Sequence, residues 1–345
     1  MSTVVKPKVA NEAYDDCAAE KISGFPGTIA ALRLGFMNRR HLLAAAPAIV
    51  AAARLSGAES AAPAAKSSKN RIGVSTYSFW HFDETTDKWR SITKCLEAAA
   101  DMGFDGVEIL QVQMTDTSPA ELRKIKRRAF TLGLDLMGFS THQTFLTPDK
   151  DKRTDNILKT TQYLEQAYDL GIPTIRVNTG RWGVIKDFDE LMKKRGIEPR
   201  LEGFTDDDGF KWVIDSFEKL VPEAEKRGVI MGLENHWGLG ITAEGVMKVV
   251  DAVKSPWLQV TLDTGNFHED PYDRLKMLAS RTVLLQAKTY HGGGLWYQLD
   301  LDYAKIAAIM REAGYRGYVS LEMEGKEDPL KAVPKSLDTL RKHFS

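Results

Sequence analysis

Residues 71–345 predict a closed (β/α)8 barrel, on three observations. Short apolar runs alternate with longer amphipathic stretches, which is the rhythm of βα units around a parallel sheet. Eight such runs occur, at 72–75, 106–110, 134–140, 174–178, 229–234, 258–263, 283–287 and 319–322, and eight strands divided by helices are the number that closes a barrel. Several helical stretches end in a glycine that the next apolar run follows closely, as at Gly103, Gly171, Gly228 and Gly314. Glycine takes the left-handed backbone of a helix end without strain, so these mark the joints at the bottom of the barrel. An open doubly wound sheet is the competing architecture, but the first run leads into TYSFWHF rather than a glycine-rich phosphate turn.

Between the runs, amphipathic helices are expected at 86–102, 119–132, 153–170, 212–227, 243–253, 303–313 and 329–343. One connection is too long to be a joint. After the fourth run the chain passes through residues 180–210, rich in both signs of charge, before the next helix. Long loops at the carboxyl end of a barrel are usually lids or binding loops, so this one is expected to cover the site. A small helical excursion without a role is the alternative.

A chain of 345 residues with 43% hydrophobic and 27% charged residues can bury a substantial core. Its 47 basic residues balance 47 acidic ones, so no net field draws it to nucleic acid or to an anionic membrane. Small molecules are the expected partners, and a homo-oligomer or a partner subunit stays open. Residues 1–70 read differently. Arg39 and Arg40 precede the apolar run 42–53, and small residues follow at 56–65, the pattern of a twin-arginine export signal with a cleavage site. That run is short for a membrane span. The segment 1–70 is therefore expected to be an extension removed from a periplasmic protein, with translation starting at Met1 or Met37. A buried alanine-rich helix is the alternative. Cys17 lies in this segment and Cys95 stands alone in SITKCLEAAADMG, so no disulfide is expected in the processed chain.

The fifth run, VIMGLENHWG, organises the chemistry. Gly228 and Gly238 bracket an apolar stretch that ends in Glu234, Asn235 and His236, and strand carboxyl ends are where parallel α/β proteins do chemistry. The following runs end alike, in Asp263 of LDTGN, Gln286 of LLQAKTYH and Glu322 of SLEMEG. Any one of these alone reads as an ordinary polar residue at a strand end. Four from consecutive strands can surround a hard divalent cation with oxygen donors and leave positions for water and substrate.

On ENH, LDTGN, QAK and SLEMEG, residues 71–345 resemble the xylose isomerase-like TIM-barrel family of sugar and sugar-phosphate isomerases and epimerases. The resemblance implies Glu, Asp, His and Glu at these strands around manganese, magnesium, cobalt or zinc. Glu234, Asp263 and Glu322 match that pattern, whereas Gln286 stands where histidine is usual. An amide oxygen is a harder donor than imidazole and does not titrate near neutrality. Three carboxylates and an amide are therefore expected to favour manganese or magnesium over zinc. The resemblance also makes Glu234 and Glu322 the acid and base, which move a proton beside a ketone through an enediolate while Asp263 and Gln286 help hold the ion.

Around this set, His236 is expected to bond a substrate hydroxyl or orient a ligand, Lys288 to stabilise oxyanion charge or, with a lowered pKa, to act as a base, and Arg176 to contact an anion or a ketone. Glu108, His142, Asn266, His268 and His291 follow the same logic, and Trp80, Phe82, Trp182, Trp237 and Trp296 offer faces for stacking on a sugar ring. Surface salt bridges, rim histidines and plain packing are the structural alternatives. The expected activity is a metal-dependent isomerase or epimerase of a keto-sugar. A lyase acting on 3-keto-glycosides by elimination, and a sugar- or metal-binding protein without turnover, are the alternatives. Apurinic endonucleases share the barrel but use a histidine-rich zinc site and a basic face, a poor match to a neutral chain with seven histidines.

Overall fold

The computed structural model describes residues 69–83 and 88–345. The twin-arginine segment, Cys17 and both candidate start sites lie outside the described residues. Eight parallel strands close on themselves in sequence order: β1 (Ile72–Ser75), β2 (Gly106–Leu110), β3 (Asp135–Ser140), β4 (Thr174–Val177), β5 (Ile230–Glu234), β6 (Leu258–Asp263), β7 (Thr282–Thr289) and β8 (Val319–Met323). The ring is complete because β1 pairs with β2 on one side and with β8 on the other.

Ten helices follow the strands among the described residues: α1 (Tyr77–Trp80), α2 (Ile92–Met102), α3 (Pro119–Thr131), α4 (Lys150–Leu170), α5 (Phe188–Lys193), α6 (Asp206–Arg227), α7 (Ala243–Val253), α8 (Tyr272–Ala279), α9 (Tyr303–Glu312) and α10 (Pro329–Phe344). Capping side chains set where several begin. Ser91 accepts from the Lys94 N–H, so α2 starts at Ile92 and not near residue 86. Thr205 and Asp208 form a reciprocal capping box, which starts α6 well before residue 212. Helix α8 was not expected from the pattern, because in YDRLKMLA only Leu275, Leu278 and Ala279 are buried. At the other end of the helices, Gly171 (φ 78°) and Gly228 (φ 65°) take the left-handed backbone that turns α4 and α6 back toward the sheet.

Strand residues alternate between two environments. Val107, Ile109, Met231, Leu233, Leu285 and Ala287 join the hydrophobic layer between sheet and helices. Their neighbours Glu108, Arg176, Glu234, Asp263, Gln286, Ser320 and Glu322 are buried as well, but they carry polar groups into the lumen. Gly138 keeps that lumen open, since a Cβ there would lie 3.1 Å from both Glu108 Cγ and Leu284 Cδ2. No described helix is long and apolar enough to cross a membrane.

Candidate active site

Asp263 stands opposite Gln286 in the β6–β7 ladder and Lys288 opposite Glu322 in the β7–β8 ladder. Glu234 ends the neighbouring strand β5, where Arg176 of β4 grips it. Arg176 Nη1 donates to Glu234 Oε2 at 2.7 Å, Asn178 Nδ2 donates to the same oxygen at 2.8 Å, and Asn266 Nδ2 reaches Oε1 at 3.3 Å. Burial opposes the charge on Glu234, but the Arg176 guanidinium, helped by Lys288, outweighs it and holds the carboxyl below the ordinary range. Arg176 was expected at a ligand. Its guanidinium is instead spent on Glu234, with Nη2 lying 3.1 Å from His142 Nε2.

Across the lumen, Gln286 Nε2 donates to Glu108 Oε1 at 2.9 Å and to Glu322 Oε1 at 3.1 Å. Glu108 also accepts from the hydroxyls of Ser140 and Ser320. Expected at the substrate, Glu108 is fully enclosed below the mouth, and neighbouring side chains already use its oxygens. Burial raises its carboxyl above the usual range, an effect the two serines counter in part. Burial also raises Glu322, and the charge of Asp263 adds to the shift.

Lys288 Nζ donates to Asn266 Oδ1 at 2.8 Å and lies 3.6 Å from Asp263 Oδ2 and 3.5 Å from Glu324 Oε2. Burial disfavours its charge, but Asp263 and Glu324 reverse that and keep it an ammonium. Asp263 is positioned by Asn235, whose side chain brackets the Asp263 backbone with bonds of 2.7 and 2.9 Å. Burial raises the Asp263 carboxyl, and Lys288 opposes the shift. Glu324 and Tyr77 were not among the expected site residues; Tyr77 OH donates to Glu324 Oε1 at 3.2 Å. The signal for Glu324 was its place two residues after Glu322, which on a strand means the same face.

Three histidines are neutral here. Burial pushes His236 down to about 3 and His268 to about 4, and burial with the nearby Arg176 charge lowers His142. The His236 ring lies 4.2 Å from that of Trp237, and His268 meets Tyr297 edge-on at 4.7 Å. His291 sits in the turn after β7, where its carbonyl accepts from the Glu327 N–H.

The long connection carries the short helix α5. Phe188 packs edge-on against Trp296 at 5.2 Å and Trp237 at 6.2 Å, joining the loops that follow β7 and β5. Glu198 ties the connection together by accepting from the N–H groups of Gly183, Val184 and Ile185. Trp182 meets Trp212 of α6 and is buried, while Trp80 and Phe82 pack on each other beside Tyr77. Beside the mouth, a groove of about 540 Å³ runs between Trp182, Pro199, Phe210, Leu239 and Lys248; Glu198 lines it, but Glu108, Glu234, Asp263, Gln286, Lys288, Glu322 and Glu324 do not.

Neighbouring side chains engage the expected cation donors. Among the described residues, no three His, Cys, Asp or Glu side chains form a cluster able to hold a metal ion. Arg176 engages Glu234, Lys288 stands beside Asp263, and Gln286 turns its nitrogen toward two carboxylates. Yet Asp263 Oδ2, Gln286 Oε1 and Glu324 Oε2 are buried without a hydrogen-bond partner. Oxygen atoms left this way on adjoining strands fit a hard divalent cation by donor chemistry.

The barrel is similar to that of Escherichia coli 3-keto-D-glucoside 4-epimerase, 20% identical, with a TM-score of 0.63 over 79% of this chain and 100% of that one. It is also similar to D-psicose 3-epimerase from Clostridium cellulolyticum H10, 19% identical, with a TM-score of 0.62 over 80% of this chain and 99% of that one. In sequence, a 3-oxo-isoapionate decarboxylase from Pectobacterium atrosepticum is 28% identical over 225 residues, 64% of this chain and 68% of that protein. The family profile spans residues 96–343, and the chain belongs to the xylose isomerase-like TIM barrel family.

Proposed function

We propose that this chain is an isomerase or epimerase of a keto-sugar, one that moves a proton at a carbon beside a ketone, with a divalent cation at the mouth. The observation that carries this reading is a charge imbalance. Five buried carboxyl groups, those of Glu108, Glu234, Asp263, Glu322 and Glu324, share the barrel with the two buried cations Arg176 and Lys288. Such an excess is costly unless protons or a cation compensate it. Asp263 and Gln286, whose Oδ2 and Oε1 accept no hydrogen bond, together with Glu234 and Glu322, are the residues that would hold the cation. With oxygen donors alone, manganese or magnesium is the expected occupant rather than zinc. When bound, a cation of this kind acts as a Lewis acid that makes the proton beside a ketone more acidic.

The chain's own groups supply the proton movements. Glu234, kept ionised by Arg176 and Asn178, takes the proton from carbon. The C–H electrons form a C=C bond, and the carbonyl oxygen takes up the negative charge. Lys288, whose ammonium bonds Asn266 at 2.8 Å and stands 3.6 and 3.5 Å from Asp263 and Glu324, is the cation placed to stabilise that charge. Glu322, whose carboxyl burial and the charge of Asp263 raise above the usual range, then returns a proton. Delivery to the opposite face of the same carbon is epimerisation; delivery to the former carbonyl carbon, with the proton of the neighbouring hydroxyl passing to the enolate oxygen as the new C=O forms, is isomerisation, and neither needs a co-reactant. Neutral His236 and His268 can each give and accept a hydrogen bond with a hydroxyl, while His142, whose Nε2 takes the Arg176 N–H, has only a donor to offer, and Trp237 and Trp296 offer ring faces.

The Pectobacterium relative favours a second reading, decarboxylation of a 3-oxo sugar acid. There the same enolate arises by loss of CO2, the C–C electrons forming the C=C bond, and Glu322 protonates the carbon. A panel of ketoses, 3-keto-glycosides and 3-oxo sugar acids, incubated in D2O with manganese, separates the readings. Deuterium at the carbon beside the ketone with a changed configuration is the expected result. Release of CO2 points to the decarboxylase, and a freed aglycone to the lyase. No turnover and no exchange across the panel would leave a binding protein. Export by the twin-arginine route belongs to the same proposal, and amino-terminal sequencing of the protein from the periplasmic fraction checks it.

A further inference from the structure

We propose that Glu108 is a positioning residue, which turns the Gln286 amide so that its oxygen rather than its nitrogen is offered at the mouth. The inference rests on the reading of Gln286 as a cation donor, and it explains how an amide serves there.

Gln286 has two N–H hydrogens and one carbonyl oxygen. Nε2 has Glu108 Oε1 at 2.9 Å and Glu322 Oε1 at 3.1 Å, one carboxylate for each hydrogen. Oε1 is left buried and without a partner. The reverse amide would aim its oxygen at two carboxylate oxygens and its hydrogens at neither, so these contacts select one orientation. Glu108 itself cannot turn away. It is completely buried, and the hydroxyls of Ser140 from β3 and Ser320 from β8 both donate to it. Gly138 leaves the space its side chain fills. Glu108 thus stands one step behind the donor and acts through it.

The same geometry accounts for glutamine here. A neutral imidazole that offers one nitrogen as a donor atom to a cation has a single N–H left, enough for one carboxylate. An amide satisfies two carboxylates and still presents an acceptor. With Glu108 and Glu322 both placed against residue 286, histidine would leave one of them short of a hydrogen bond.

The test uses the full chain, manganese and two readouts. In metal-free protein labelled with 15N-glutamine, the Gln286 side-chain hydrogens, assigned by their loss in Gln286→Leu, should exchange slowly and lie downfield. In Glu108→Met, which removes the acceptors at similar volume, both properties should be lost and manganese affinity should fall about 10–100-fold. Glu108→Gln, which keeps an acceptor oxygen, should restore most of both. The double variant Glu108→Met/Gln286→Leu should bind manganese no more weakly than Gln286→Leu alone. Additive losses, or unchanged amide signals in Glu108→Met, would overturn the proposal. Fast-exchanging, unshifted Gln286 hydrogens in the wild type would overturn it even if Glu108→Met does not fold. A wild type that shows the protected amide but takes up no manganese instead defeats the cation reading and leaves the orientation standing.

Discussion

Arg176 Nη1 stands 2.7 Å from Glu234 Oε2, and both side chains are almost sealed from solvent. Removing one partner of a buried ion pair leaves the other charge uncompensated, which typically costs about 3–5 kcal/mol. Arg176→Met should therefore be destabilised by that order in chemical denaturation. Losing the guanidinium also lets burial raise Glu234, so the acid limb of the pH–rate profile should move to higher pH. An unmoved limb would separate Arg176 from the ionisation of Glu234.

Glu322→Gln and Glu234→Gln replace a proton donor or acceptor by a group of the same shape. General acid–base residues contribute about 10²–10⁴-fold, so each variant should lose turnover by that range while keeping its melting temperature within a few degrees. Deuterium exchange beside the ketone distinguishes them. Glu234→Gln should stop exchange outright, whereas Glu322→Gln should retain exchange from the Glu234 side.

Dialysis against a chelator should lower thermal stability, and manganese should restore it in a concentration-dependent way. A ligand that binds only the folded state adds about 2.7 kcal/mol when present at 100 times its Kd. Competition between manganese and zinc, followed by metal analysis, tests the donor argument; zinc as the preferred occupant would contradict an all-oxygen site.

His236 and His268 are pushed down to about 3 and about 4 by burial, against about 6.5 in an unfolded chain. Their contribution to stability is complete above pH ~6.5. It is lost as the pH falls toward the folded values, because the unfolded chain takes up protons that the barrel does not. Asp263 and Glu322, both raised, act in the opposite sense, so total stability is a poor readout. The stability gap between wild type and His236→Gln should shrink between pH ~6.5 and ~4, measured by urea unfolding. A constant gap would mean that His236 charges freely in the fold.

Phe188→Ala removes the contact that joins the connection after β4 to Trp237 and Trp296. Aromatic pairs contribute about 0.5–1.5 kcal/mol beyond area burial, so the global cost should be small while KM rises with kcat little changed. Gly196→Ala should act similarly: its φ is 76°, and a Cβ would lie 2.5 Å from Trp237 Cδ1.

The strands were legible because a buried parallel strand is a near-continuous apolar run, and β2 and β6 fall where the sequence puts them. Strand β7 runs on to Thr289 because its last residues alternate between lumen and outer layer, and polar lumen residues resemble a strand's end. The start of α6 was written in Thr205 and its three following aspartates, a cap signal that hydrophobic periodicity alone passes over. Among the site residues, Glu234, Asp263, Gln286 and Glu322 could be named from their places at strand ends. Their partners could not.

By itself the sequence determined that eight βα units close a barrel and which strand ends carry carboxylates, since spacing along the chain sets which face each side chain takes. Only the tertiary structure decided that Arg176 neutralises Glu234, that Glu108 lies beneath the mouth, and that Gln286 turns its nitrogen inward. Those are choices of hydrogen-bond direction between atoms on distant strands. Glu108 and Gln286 are 178 residues apart in the chain, and ring closure is what brings them within 2.9 Å.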